Sequence, residues 1–203
     1  MEPLKKQKEA GDSLRITESR LATAAVWAAP ALSGALLVPA FSPYDIHFLA
    51  WFALVPLLWA LGRVRPAGAA LCGYIFGVVY FCLLLWWISV VRYPAVIGYA
   101  VGCLLIPVVF IPWAWATNRL MNKAPAAAPW LAACLWITVE WIMSQGTFGF
   151  PWWLLGNTQV KNLPVAQAAS LGGVHLVSFL VIIVNFFFLY IKRNKSTSEK
   201  RAW

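Results

Sequence analysis

Apolar residues fall in long runs broken by short polar stretches. The runs have the length of membrane crossings, about 20 mostly apolar residues for a helix. They cover residues 21–41, 46–61, 69–91, 95–117, 124–143 and 175–191. The second run is short. Ser42-Pro-Tyr-Asp45, Arg63-Val-Arg-Pro-Ala-Gly68 and Arg92-Tyr-Pro94 break the pattern, as do residues 118–123. Residues 146–170 form a longer connection, aromatic and half polar. The expectation is an all-α polytopic membrane protein with six transmembrane helices and an irregular aromatic segment after the fifth. Residues 1–20 and 192–203 read as basic tails flanking a membrane domain over 21–191.

Composition sharpens this. Of 203 residues, 62% are hydrophobic and 11% charged, against about 25% charged in a soluble domain. The net charge of +9 does not mark a nucleic-acid-binding face, because the cations sit in tails and loops. With the N-terminus in the cytoplasm, 14 of the 16 Lys and Arg lie inside and only Arg92 and Lys161 outside. Cytoplasmic loops carry such an excess, so both termini read as cytoplasmic. The first run exceeds the roughly 7–15 apolar residues of a signal peptide and reads as a span.

Gly73-Tyr-Ile-Phe-Gly77 and Gly98-Tyr-Ala-Val-Gly102 are small-xxx-small patterns that allow close helix approach. They predict that spans three and four pack as a hairpin. Cys72, Cys82, Cys103 and Cys134 all lie in apolar runs without metal-ligand spacing and read as small apolar fillers. No metal and no cofactor is expected.

Polar chemistry gathers at the outer ends of the spans. Asp45, His47, Arg92, Glu140, Lys161 and His175 all fall there and are candidates for one outward-facing cavity. Glu140 stands out, because an ionisable residue at membrane depth costs about 2.5–3.5 kcal/mol at a helix centre. Gly149-Phe-Pro-Trp152 follows it, and irregular backbone at that depth must be buried in protein or line a wet cavity. Each residue also has a plainer reading. Asp45 reads equally as a cap of the second span, Arg92 as a turn residue snorkelling to headgroups, and His175 as an interfacial helix start. Glu140 has a structural alternative too, as a partner of Arg92 or His175. Most of the thirteen tryptophans fit interfacial belts, whereas Phe150, Pro151 and Trp152 also suit the wall of a lipid cavity. No Ser-His-Asp order, paired carboxylates or phosphate-cradling glycine loop completes a catalytic set.

The motifs carry a resemblance. Ala40-Phe-Ser-Pro-Tyr-Asp45, Gly73-Tyr-Ile-Phe-Gly-Val-Val-Tyr-Phe81 with Trp86 and Val90, and Leu135-Trp-Ile-Thr-Val-Glu140 occur in order. Thr147-Phe-Gly-Phe-Pro-Trp152, Leu155-Gly-Asn-Thr-Gln159 and Leu171-Gly-Gly-Val-His-Leu-Val-Ser-Phe179 with Asn185 follow. Together they resemble the N-terminal membrane region of bacterial apolipoprotein N-acyltransferases. The resemblance implies transfer of a phospholipid acyl chain, through a thioester, to the α-amino group of a diacylglyceryl-cysteine lipoprotein. It implies the outer face of the inner membrane as the place. The family's Glu-Lys-Cys chemistry sits in a nitrilase-like domain beyond a seventh span, and no cysteine here matches that nucleophile. The expectation is thus the membrane part of a split or truncated enzyme, inactive without a separate nitrilase-like chain. A non-catalytic lipid-binding or anchoring module is the alternative, and an unrelated small transporter a weaker one. Met143 stands where the family often carries arginine.

Overall fold

A computed structural model describes residues 2–90, 95–146 and 149–201, with side chains over 19–90, 96–146 and 149–191. Among the described residues the chain is helical throughout, without strands. Helix α1 spans Glu2–Leu37, α2 Val55–Leu61, α3 Pro66–Leu84, α4 Ala95–Leu105, α5 Phe110–Lys123, α6 Ala128–Met143, α7 Leu163–Ala166 and α8 Ala169–Arg201. Short 3-10 turns lie between them. Proline opens many of these elements, standing in the first two positions of α2, α3, α6 and α7. Its missing N–H has no helical partner there in any case.

Four segments are long and apolar enough to cross a membrane: Ser19–Ala40, Pro66–Leu84, Val96–Lys123 and Ala169–Ile191. His47–Leu61 and Ala128–Met143 are shorter apolar helices. Several expected boundaries move. The third run ends as an α-helix at Leu84 and continues as a 3-10 turn, Trp86–Val90. The expected loop at 118–123 is helical. α5 runs to Lys123 and stops at Ala124, the residue before Pro125, where the α conformation is disfavoured. The fourth run is one span of two helices joined by a 3-10 turn at Ile106–Val109, with Pro107 at its start.

The second run is also two pieces, a 3-10 turn at His47–Trp51 and α2. Asn185 of α8 serves the break between them. Its Oδ1 accepts from Leu54 N at 2.9 Å and its Nδ2 donates to Ala50 O at 2.8 Å. Ser33 of α1 accepts from Leu57 N at 2.8 Å. Without water, backbone groups in the bilayer must find partners inside the protein, and polar side chains of the neighbouring long helices supply them here.

Helix α3 lies at the centre, packed on α1 and α5. Its buried residues Ala69, Cys72, Gly73, Phe76, Gly77, Tyr80 and Phe81 recur at three and four, one face of a helix. A Cβ on Gly73 would stand 2.4 Å from Phe110 O, and one on Gly77 2.8 Å from Pro107. This half of the glycine expectation holds. The other half does not: Gly98 faces open space, and the nearest atom to a Cβ on Gly102 belongs to Ile106 of the same span, at 3.5 Å. Contact with α3 at these glycines is made by Pro107, Phe110 and Ala114, beyond the small-residue pattern of α4. Phe76, Tyr80, Phe81 and Phe110 meet Trp113, Trp136 and Trp153 in one buried aromatic cluster, with Phe110 and Trp136 centroids 5.0 Å apart.

Candidate functional site

Glu140 lies one turn before the end of α6 and is fully buried. Its Oε1 accepts from Trp136 Nε1 at 2.8 Å, one turn back on the same helix, and from Leu155 N at 2.7 Å. Its Oε2 lies 3.3 Å from His175 Nδ1 on α8, a hydrogen bond when that nitrogen carries the proton. One carboxyl thus joins α6, α8 and the connection between them. Of the two structural partners expected from sequence, His175 is in place. Arg92 lies outside the described residues.

The connection turns by two 3-10 elements, Pro151–Trp153 and Leu155–Gln159, and its inner part is buried. Trp153, Leu155, Gly156, Thr158 and Gln159 are all shielded. Phe150 N donates to Met143 O at 2.8 Å, Gly156 N to Ser178 Oγ at 2.8 Å, and Tyr80 Oη to Trp153 O at 2.9 Å. Gln159 Nε2 donates to His47 O at 2.9 Å, reaching the start of the second apolar segment. Gly156 must be glycine for this, because a Cβ would stand 2.4 Å from Val174 O. α8 itself breaks at Gly172 and Gly173, the latter at φ +69°, so its regular part begins beside His175.

Two clefts among the described residues are lined by some of the sequence candidates. Asp45 and Trp152 line a cleft of about 650 Å³ with Lys161, Asn157, Trp86, Trp87, Val38, and residues 41–44 and 83–85. His175 lines a smaller one of about 260 Å³ with Ile137, Thr138 and Trp141. Glu140, Phe150 and Pro151 line neither. The acid is a buried clasp joining α6, α8 and their connection, and Phe150 packs on Trp152 with centroids 5.1 Å apart. Asp45 does not cap the following turn, whose N-cap is Ile46 without a side-chain bond. Met143 packs half-buried against the core. Trp136, Ser178, Gln159 and Tyr80 are polar partners that the sequence reading did not single out. The four-residue spacing of Trp136 and Glu140 was a usable signal, as was a serine in the apolar run of α8.

A family model described as "Apolipoprotein N-acyltransferase N-terminal domain" matches residues 33–187. The chain belongs to the apolipoprotein N-acyltransferase family. It is similar to the apolipoprotein N-acyltransferase of Geobacter metallireducens, 31% identical over 83% of this chain and 34% of the relative. It is similar to that of Haemophilus ducreyi at 28% over 79% of this chain and 32% of the relative. For Chromobacterium violaceum the values are 33%, 76% and 31%. The chain therefore spans about a third of the length of the curated relatives it matches. The Glu140 clasp and the segment it holds lie inside the matched region. Family and apolar helices together make this a bacterial multi-pass membrane protein.

Proposed function

We propose that this chain is the membrane part of an apolipoprotein N-acyltransferase, which passes an acyl chain from a membrane phospholipid to the N-terminal diacylglyceryl-cysteine of a lipoprotein. On this reading it sits in the bacterial inner membrane and crosses it six times. The four long apolar segments and the shorter His47–Leu61 and Ala128–Met143 are the crossings. Both termini are cytoplasmic, and the Asp45, Glu140 and His175 end faces outward.

Acyl transfer through a thioester needs an activated thiolate. Cys72, Cys82, Cys103 and Cys134 lie in apolar helices, and among the described residues none bonds to a basic or acidic side chain. The nucleophile belongs to a nitrilase-like domain outside these 203 residues, in the same polypeptide or on a partner. The observation that carries the reading is the Glu140 clasp. It holds the Phe150-Pro-Trp-Trp-Leu-Leu155 segment as a fixed, partly aromatic surface at one end of the bundle, where a catalytic domain and two lipid substrates would meet.

The test is expression in a bacterium depleted of its own N-acyltransferase, with and without a relative's nitrilase-like domain. Mass spectrometry of a lipoprotein then counts its acyl chains. The third chain should appear only when both parts are present. Both parts stably inserted without acylation would favour the second reading, a non-catalytic lipid-binding or anchoring module, which the placement of the cysteines also fits.

A further inference from the structure

The cleft of about 650 Å³ plays no part in the Glu140 clasp, and its lining has an unusual composition for this chain. It contains Asp45 and Lys161, which are two of the few charged residues between the tails. They carry opposite charges, yet they form no ion pair with each other or with another described residue. Asp45 is half-buried and Lys161 exposed. An unpaired half-buried carboxylate beside an apolar wall, such as that of Asp45, carries a desolvation cost that a cationic partner would offset.

The backbone presents Asp45 deliberately. Phe41 O accepts from both Tyr44 N and Asp45 N, at 3.1 and 3.0 Å, and Asp45 sits at φ +53°. That left-handed conformation is uncommon outside glycine and clusters at functional sites. Its side chain makes no cap. On the other side of the cleft, Lys161 follows the buried Leu155–Gln159 turn, which Gln159 ties to His47 O. Both charges therefore stand on tethered backbone.

The rest of the lining is apolar and aromatic. Trp87 and Trp152 meet with centroids 5.0 Å apart, and Val38 and Leu83 carry the wall onward to the helices. Tyr44, Trp86 and Trp152 are more than half exposed, and Tyr and Trp sit at headgroup depth in membranes. The cleft thus offers one anion and one cation at the interface above an apolar wall.

We propose that this cleft binds the zwitterionic headgroup of a phospholipid, with Lys161 on the phosphate and Asp45 on a primary ammonium. The glyceryl region then lies against Trp87 and Trp152, with the first acyl carbons along Val38 and Leu83. Charge complementarity selects this occupant. An anionic headgroup without an ammonium would leave Asp45 facing like charge, which costs affinity. The proposal deepens the functional reading above, because it names where a phospholipid substrate is held, and it rests on the chain serving such a substrate.

The experiment uses the full chain, purified from nanodiscs of equal phosphatidylethanolamine and phosphatidylglycerol, with retained lipid quantified by mass spectrometry. The wild type should be enriched in phosphatidylethanolamine. Asp45→Asn keeps the left-handed backbone accessible and should cut the enrichment by roughly fivefold, the scale of one interfacial ion pair. Lys161→Met should lower retention of both lipids. No enrichment in the wild type, or an enrichment unchanged in both variants, overturns the site. If Asp45→Asn is misfolded by gel filtration, Lys161→Met, at an exposed position, decides. Acylation in the two-part assay with enrichment unchanged in the variants removes this site and leaves the functional reading. Enrichment that depends on Asp45 without any acylation removes that reading and leaves the site.

Discussion

At the scale of single residues, Glu140 is the clasp that ties α6, α8 and their connection together. Three groups converge on its carboxyl, and two of them, Trp136 Nε1–H and Leu155 N–H, are buried donors. A buried donor left without its acceptor costs about 1–3 kcal/mol. Glu140→Ala strands both and should sharply lower the midpoint of thermal unfolding in detergent, measured by fluorescence-detected gel filtration. Glu140→Gln retains an oxygen acceptor and should lose much less. If the two variants unfold alike, the hydrogen bonds to Oε1 are not what the acid supplies. Glu140 was legible from sequence because a lone acid in an apolar run is expensive and must be satisfied. Its main partner was not, because Leu155 contributes a backbone N–H that any residue would carry. His175 was visible as a candidate, and its pairing with Glu140 was one of two stated options. Asp45 and Trp152 were legible as candidates too, and Asp45 and Lys161 were expected at one cavity, but its full lining was not. It depends on Lys161 and Trp87 arriving from segments far apart in the chain.

Among elements, the contrast between α3 and α4 is the sharpest test of packing. Both carry the same glycine spacing, yet only α3 uses it. Gly73→Ala would put a methyl 2.4 Å from Phe110 O and 2.6 Å from the Ala114 Cβ, so α3 and α5 must separate along their central contact. Overpacking of this kind costs about 1–3 kcal/mol. Gly98→Ala meets nothing and gains helix propensity of about 0.5–1 kcal/mol. The expected outcome is a lowered unfolding midpoint for Gly73→Ala and an unchanged or raised one for Gly98→Ala. A similar loss in both would show that α4 is packed more tightly than described. Spacing alone could not separate the two, since a small-residue motif says that close approach is possible and not where the partner lies. The helix boundaries show the same division. Pro66, expected in a loop before the third run, instead opens α3, whereas the split of the second apolar run involves Asn185, 131 residues beyond Leu54.

For the whole molecule, the prediction concerns direction across the membrane. Cysteine introduced at Lys161, in a variant lacking the four native cysteines, should react with a membrane-impermeant maleimide added to spheroplasts. Cysteine at Arg119 should react only after permeabilisation. The opposite pattern would invert the orientation and place the Asp45 cleft in the cytoplasm. Both positions are exposed, so accessibility reports sidedness and not burial. The helical class was readable from run lengths and composition. The number of crossings was less so, because His47–Leu61 is short and broken and hydropathy does not distinguish a full crossing from a partial one. The joining of distant segments at one end was beyond any local pattern.

The Asn185 tie also sets an order in time. Leu54 N–H waits for an acceptor that is synthesised 131 residues later. At about 5–20 residues per second, the ribosome needs on the order of ten seconds to deliver it. Through that interval the second apolar segment sits beside α1 with its break unsealed, held first by Ser33 at Leu57 N and later by Asn118 at Leu61 O and Gln159 at His47 O. The bundle therefore cannot mature strictly from its first helix to its last. Its earliest hairpin is completed only when α8 arrives to close it.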